Sequence, residues 1–245
     1  MIVSLGMYDI PHASAAYDRL WSLIRADLGT GPKAISRAGD LWADWRSPDL
    51  LLSQTCGLPY RALLYDKVNL VGTPDYGLPD CPPGYYQSYI LRRSDDPRNL
   101  AELAQTGTLA YNEPLSQSGW AAPVAHLAGM GQRPGATLQT GAHLASAHAV
   151  AQGTADYASI DAVTYTMWAY SNAYRFERLE IVARTDPTPG LPFITSRTRD
   201  PKPIARAVET AIAALSSDDR KILMLNELVQ IPQQAYRTIS IPHTP

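Results

Sequence analysis

Residues 111–120 read Tyr-Asn-Glu-Pro-Leu-Ser-Gln-Ser-Gly-Trp, and residues 140–143 read Thr-Gly-Ala-His. The first stretch is a hydroxyl-rich turn opening a helix. Such a turn gathers free backbone N–H groups, short side-chain donors and the positive end of a helix dipole at one point. That point is a socket for a small anion. The second stretch opens another helix, which the apolar spacing carries from His143 through Leu144, Ala147 and Val150 to Gly153, and it sets an imidazole at a helix N-terminus. The spacing lets two helix starts converge on one ligand. Downstream, Tyr157, Ser159 and Asp161 alternate with small or apolar neighbours, as a short strand does. Asp161 then ends that strand at the edge where open α/β sheets place ligand contacts.

Outward from this segment, strands and helices alternate. Tyr86 to Arg92 and Leu179 to Arg184 read as strongly apolar strands. They enclose a helix at 99–105, a strand at 108–111, the two anion-facing helices, a strand at 157–160 and a helix at 162–170. A set enclosed by two crossing strands reads as an inserted lobe at residues 89–185, leaving a discontinuous lobe at 1–88 plus 186–245. In the discontinuous lobe the pattern predicts strands at 3–7, 35, 49–54, 68–73 and 192–196. Helices are predicted at 13–28, closed by Gly29, at 39–45, from Pro59 through 62–65, at 204–215 and at 218–225. Residues 74–84, rich in Pro and Gly, read as a surface loop.

Composition bounds the function. The chain has 245 residues, 45% hydrophobic and 18% charged, which is enough apolar material for a substantial core. A net charge of -2 with dispersed Lys and Arg gives no reason to expect nucleic acid or an anionic membrane as partner, and any anion site must be local. No apolar run approaches the roughly 20 residues that span a bilayer. The start, Met1 to Asp9, shows no basic segment or apolar stretch of a secretory signal and reads as a first core strand. The chain is periplasmic if it is exported and cytoplasmic otherwise. Cys56 and Cys81 both fall on loops and form either a disulfide or two free thiols. No Cys-x-x-Cys or paired His spacing supplies a metal site.

The order Tyr111-Asn112-x-Pro114-x-Ser116-x-Ser118-Gly119, then Thr140-Gly141-x-His143-x-x-Ser146-x-x-Ala149-Val150-Ala151-x-Gly153-x-Ala155-Asp156, then Ile160-Asp161-Ala162-Val163 resembles the substrate-binding proteins of phosphonate, phosphite and phosphate ABC transporters. The resemblance extends to Leu50–Gly57 and Thr185–Pro192, so it covers nearly the whole chain. It implies an α/β chain of the type II periplasmic-binding-protein fold, with two α/β lobes joined by two crossover strands and closing on a ligand like a hinge. The function it implies is capture of a small anionic or zwitterionic metabolite, phosphonate- or phosphate-like, in the interlobe cleft for an ABC permease, with no cofactor.

Under that resemblance Ser116, Gln117, Ser118, Gly119 and His143 hold the anion. Asp161 matches the position that holds a ligand's cationic group, and Tyr8, Gln54 and Thr55 end first-lobe strands and close from the other side. Each assignment has a plainer alternative. Serines at 116 and 118 also suit helix capping, and Asp161 suits capping the helix at Ala162. Gln117 stands where related phosphonate binders commonly carry Thr, and a carboxamide fits a carboxylate, sulfonate or heteroaromatic group as readily as a phosphonate. At His143 the helix N-terminus disfavours protonation whereas a bound anion favours it.

Catalytic templates are mostly absent. Gly29-Thr30-Gly31-Pro32-Lys33 lacks Walker spacing, Ser118-Gly119 lacks the full nucleophile elbow, and no Gly-x-Gly-x-x-Gly occurs. Nothing requires a nucleophile, so the chain is read as a binder rather than an enzyme. The alternatives on the same fold are cytoplasmic enzymes resembling chorismate dehydratase or the thiamine pyrimidine-precursor enzymes, and a ligand sensor.

Overall fold

The computed structural model describes residues 1–171 and 176–243. The chain forms two compact units, one of Met1–Tyr85 with Pro189–Thr238 and the other of Tyr86–Thr188 with Ile239–Pro245. The tail from Ile239, expected in the discontinuous lobe, groups with the other unit, where the Trp120 indole Nε1 donates to the His243 carbonyl at 3.1 Å.

The first unit is built on a five-stranded sheet in the order Ile2–Ser4, Leu50–Gln54, Phe193–Ser196, Val68–Asp75 and Glu227–Val229. The first two strands are parallel, and Phe193–Ser196 runs antiparallel to both of its neighbours. Leu50–Gln54 is an unbroken apolar run followed by two polar residues, and all five of its residues are buried, as a strand covered on both faces requires. Helix Ser14–Leu28 packs Leu20, Trp21 and Ile24 inward and stops at Gly29, whose left-handed φ of 65° lets its N–H reach the Arg25 carbonyl. It lies against helix Pro201–Ala214, which begins earlier than expected because Asp200 caps Lys202 and two prolines fit the first turn.

Other elements depart from the sequence reading. The first strand ends at Ser4, and Ile35 is not in a strand, although its neighbour Ser36 donates to the Val3 carbonyl. The helix at 217–223 stops at Met224 in a left-handed conformation, which frees 227–229 to pair as an edge strand. Residues 60–64 form a π-helical turn.

The second unit has a five-stranded sheet in the order Ala136–Gln139, Thr108–Tyr111, Tyr157–Asp161, Ser88–Arg93 and Leu179–Arg184. The first three strands are mutually parallel, and Ser88–Arg93 runs antiparallel to both of its neighbours. Helix Leu100–Thr106 is entered through a full capping box between Asn99 and Glu102 and buries Leu100, Leu103 and Ala104. Those residues share a core with Leu109, Tyr111, Trp120, Leu127 and Tyr157. The parallel arrangement brings the C-terminal ends of three strands, Tyr111, Gln139 and Asp161, to one edge of the sheet, and the loops that leave this edge carry the residues singled out above.

Candidate functional site

The two loops are tied together before any side chain acts. Thr140 N–H donates to the Tyr111 carbonyl at 2.8 Å and Gly141 N–H to the Asn112 carbonyl at 2.9 Å, so the pairing of the parallel strands continues past their ends. Thr140 Oγ1 adds bonds to the Tyr111 carbonyl and to Ser146 Oγ, at 3.1 and 2.6 Å. This braces the start of helix His143–Ala151 against the 111–116 loop.

The turn opened by Ser116 is wider than an α-helix. Residues 117–121 form a π-helical turn in which Ala121 N–H reaches back to the Ser116 carbonyl at 3.0 Å, before the helix continues as Ala122–Gly129. Single π turns recur at functional sites. Pro123 fits because it lies in the first turn of the following helix. Trp120 roots the turn in the core, with its ring 5.0 Å from that of Tyr111. The plainer reading holds for Ser116: its Oγ accepts from Gly119 N–H at 2.9 Å and caps the turn. Gly119 is required for space, since a Cβ there would overlap Asn112 Oδ1. Gln117 and Ser118 are buried.

Ser118 is bound twice. Its carbonyl accepts from Ser159 Oγ at 2.7 Å, and its Oγ lies 2.9 Å from His143 Nε2. Among the described residues no acceptor serves the Ser118 N–H. Helix His143–Ala151 has no side-chain cap, and the N–H groups of His143, Leu144 and Ala145 likewise have no acceptor there. The sequence reasoning singled out Ser118 and His143 but gave Ser159 and Asn112 no role. The sequence marks Ser159 only as one residue of an alternating strand and Asn112 only as one residue of the 111–119 stretch.

The electrostatics of His143 follow from enclosure. The residue as a whole is half-buried, but Nδ1 is shielded from solvent and makes no hydrogen bond of normal geometry. Burial pushes the imidazole pKa down to about 4, against a smaller upward pull from the Ser159 backbone. The ring is neutral at pH 7. In the tautomer with Nε2 protonated it donates to Ser118 Oγ, which leaves the serine hydroxyl proton free to point at an anion. Asp161 is 2% exposed, and its Oδ1 accepts from Thr164 N–H at 3.0 Å, which caps helix Ala162–Ser171.

In the first unit the remaining expected residues gather around Tyr76. Gln54 Nε2 donates to Tyr76 Oη at 2.9 Å and to the Leu191 carbonyl at 3.0 Å, which fixes the amide orientation and leaves Oε1 buried without a partner. Tyr8 packs edge-on against Tyr76 at 5.1 Å. Thr55 is buried, and its hydroxyl donates to the Cys56 carbonyl at 3.3 Å. Of the two alternatives for the cysteines, the structure has no disulfide: Cys56 and Cys81 are unbridged thiols, the first buried and the second half-buried. Among the described residues no helix is long and apolar enough to cross a membrane.

A family model for the ABC transporter, phosphonate, periplasmic substrate-binding protein matches residues 54–233. Solved structures with similar coordinates include PhnD1 from Prochlorococcus marinus in complex with methylphosphonate. It shares 15% identity and a TM-score of 0.76, and the alignment covers 97% of this chain and 95% of that one. A binding protein component of an ABC phosphonate transporter from Pseudomonas aeruginosa aligns at 13% identity and TM-score 0.70, over 93% of this chain and 80% of its own. XAC2383 from Xanthomonas citri, bound to chloride, aligns at 16% identity and TM-score 0.69, over 97% and 95%. No match to a curated protein sequence was found. At these identities the likeness establishes the fold, which is the type II periplasmic-binding-protein fold.

Proposed function

Because the chain belongs to the family of periplasmic substrate-binding proteins of phosphonate ABC transporters, we propose that its ligand is a small phosphonate or closely related oxyanion, and that the second unit provides the anion socket. One observation carries this reading: Ser118 Oγ and His143 Nε2 are joined at 2.9 Å beside backbone N–H groups that have no acceptor among the described residues. Amides at a helix start and a serine hydroxyl whose proton the imidazole leaves free are donors, which is what an oxyanion requires. Gln117 adds a carboxamide where Thr is usual in related binders, and this widens the oxyanions the site accepts.

The same pair argues for binding over catalysis. A serine activated by histidine needs a third group to orient the ring. Here Nδ1 has no hydrogen-bond partner of normal geometry, and the shift of the imidazole comes from burial and the Ser159 backbone, with no contribution from a carboxylate. The protein acts in the periplasm and delivers its ligand to an ABC permease.

The test is thermal stabilisation of the full chain against methylphosphonate, phosphite, phosphate, methanesulfonate and acetate, with chorismate as the enzyme control. A ligand at a hundredfold excess over its Kd stabilises the native state by about 2.7 kcal/mol. The reading expects a clear shift with a phosphonate or another oxyanion and none with chorismate. Chorismate binding followed by its consumption overturns it.

A further inference from the structure

We propose that the first unit carries a second ligand site, independent of the oxyanion socket, for a small molecule with an anionic head on an apolar body. A cavity of about 390 Å³ opens at the end of the sheet where Ser196 pairs with Val68. Its volume lies within the range of small-molecule sites, about 300–1,000 Å³. Gln54 pairs with Phe193, at the other end of the same strand, and at about 3.3 Å per residue the two ends are about 10 Å apart. The cavity's lining does not include Gln54 or Thr55, although Trp45 reaches from its wall to the Gln54 carbonyl.

The lining is one-sided in charge. Arg46, Lys67 and Arg197 stand on its wall, and no carboxylate does; Asp44, Asp49 and Asp66, acidic neighbours along the chain, are not part of the lining. Arg197 is held by one contact, Nη1 to Asn69 Oδ1 at 2.7 Å, which leaves Nε and Nη2 with no acceptor among the described residues. Arg46 lies over the Trp42 ring at 5.2 Å and forms no ion pair there. Lys67 pairs with Asp66 at 3.2 Å, but both side chains are exposed and such a pair is easily exchanged. Ser47, Ser196 and Thr198 add hydroxyl donors to the same wall.

The rest of the cavity is apolar. Trp45, Pro48 and Leu63 form it, and Leu63 is 44% exposed. A fully hydrated anion such as phosphate satisfies the cations and leaves this wall wet; a neutral aromatic does the reverse. An aryl or alkyl phosphate or carboxylate satisfies both. Trp45 also reports occupancy, because its indole Nε1 donates to Ser53 Oγ and to the Gln54 carbonyl, each at 3.2 Å.

The experiment follows the Trp45 indole N–H resonance of the full chain, assigned by its loss in Trp45→Phe, during titration with phenyl phosphate. The expected result is a saturable shift that phenol and inorganic phosphate do not reproduce at the same concentrations. Affinity should fall about tenfold in the Arg197→Met, Lys67→Met double variant, the size of a lost charged hydrogen bond, and stay unchanged in Ser118→Ala. Both substituted cations are exposed, so the double variant keeps its fold. The proposal is overturned by an indole that does not move, by a shift that inorganic phosphate or phenol reproduces, or by one that persists in the double variant. Loss of the shift in Ser118→Ala also overturns it, because the binding would then belong to the oxyanion socket.

Discussion

Ser118 Oγ sits 2.9 Å from His143 Nε2, with the Ser118 carbonyl pinned by Ser159 Oγ at 2.7 Å. The two side chains belong to different loops and meet only because the strands Thr108–Tyr111 and Ala136–Gln139 end side by side. Ser118→Ala and His143→Ala are each expected to weaken the phosphonate-class ligand by about 10- to 100-fold, the cost of a charged hydrogen bond of 1.5–3 kcal/mol. Ser159→Ala, which touches only the carbonyl, should weaken it less. Isothermal titration of the three variants against wild type checks the order, and equal losses in all three would mean that the hydroxyl and imidazole have no special role.

His143 also makes stability depend on pH in a defined direction. Its folded pKa of about 4 lies below the ordinary value of 6.5, so the unfolded chain binds more protons between the two. The contribution is present in full above pH 6.5 and is lost as pH falls toward 4. At 1.36 kcal/mol per unit its upper bound is on the order of 3 kcal/mol. Urea unfolding of wild type and His143→Gln at pH 7, 5.5 and 4 should show the smaller acid loss in the variant. Parallel curves would place the ring in water.

Gly119 answers to packing rather than to backbone freedom, since the atom a Cβ would strike is Asn112 Oδ1. Gly119→Ala is expected to cost about 1–3 kcal/mol by overpacking and to abolish ligand stabilisation by displacing Ser118. Trimming the obstruction in an Asn112→Ala, Gly119→Ala double variant should recover most of the stability. Thermal melts of the four proteins of the cycle measure the coupling.

Most strands of both sheets, the long helices and the crossing pattern were legible because they depend on local apolar periodicity and on Gly, Pro and Asx punctuation. Two of the four edge strands, 136–139 and 227–229, were not. Residues 136–139 are largely exposed and 227–229 bury only Leu228, so neither shows the alternation that marks a strand with a buried face. At the site, the turn at 116–120 and the helix at His143 could be read from donors and spacing. The roles inside it could not, since Ser116 caps the turn and Ser118 meets His143 although the two serines are chemically alike. Asn112 and Ser159 act through tertiary contacts, which no spacing encodes.

The two cysteines are expected to stay reduced and slow to react. Cys56 is buried, and at Cys81 burial, with Asp80 and Asp75 nearby, pushes the thiol pKa up to about 11. The thiolate is the reactive species, so alkylation of the native protein at pH 8 should be far slower than in denaturant. Intact mass after air oxidation should retain both thiol hydrogens. A loss of two mass units with one intramolecular bridge would restore the disulfide.

Asp161 decides whether an amine on the ligand helps. Its carboxylate is 2% exposed, and Oδ1 is engaged by Thr164 N–H at 3.0 Å, so an ammonium group would have to compete with a helix cap. Methylphosphonate is therefore expected to stabilise the protein at least as much as 2-aminoethylphosphonate at equal concentration. Asp161→Asn separates the two roles, because Asn caps about as well as Asp while losing the charge. The variant should keep its melting temperature within a few degrees and leave methylphosphonate affinity unchanged. If Asp161 holds a cationic group instead, the same substitution should cost the aminated ligand about tenfold or more and spare the plain one, a split that titration of both ligands against both proteins reads directly.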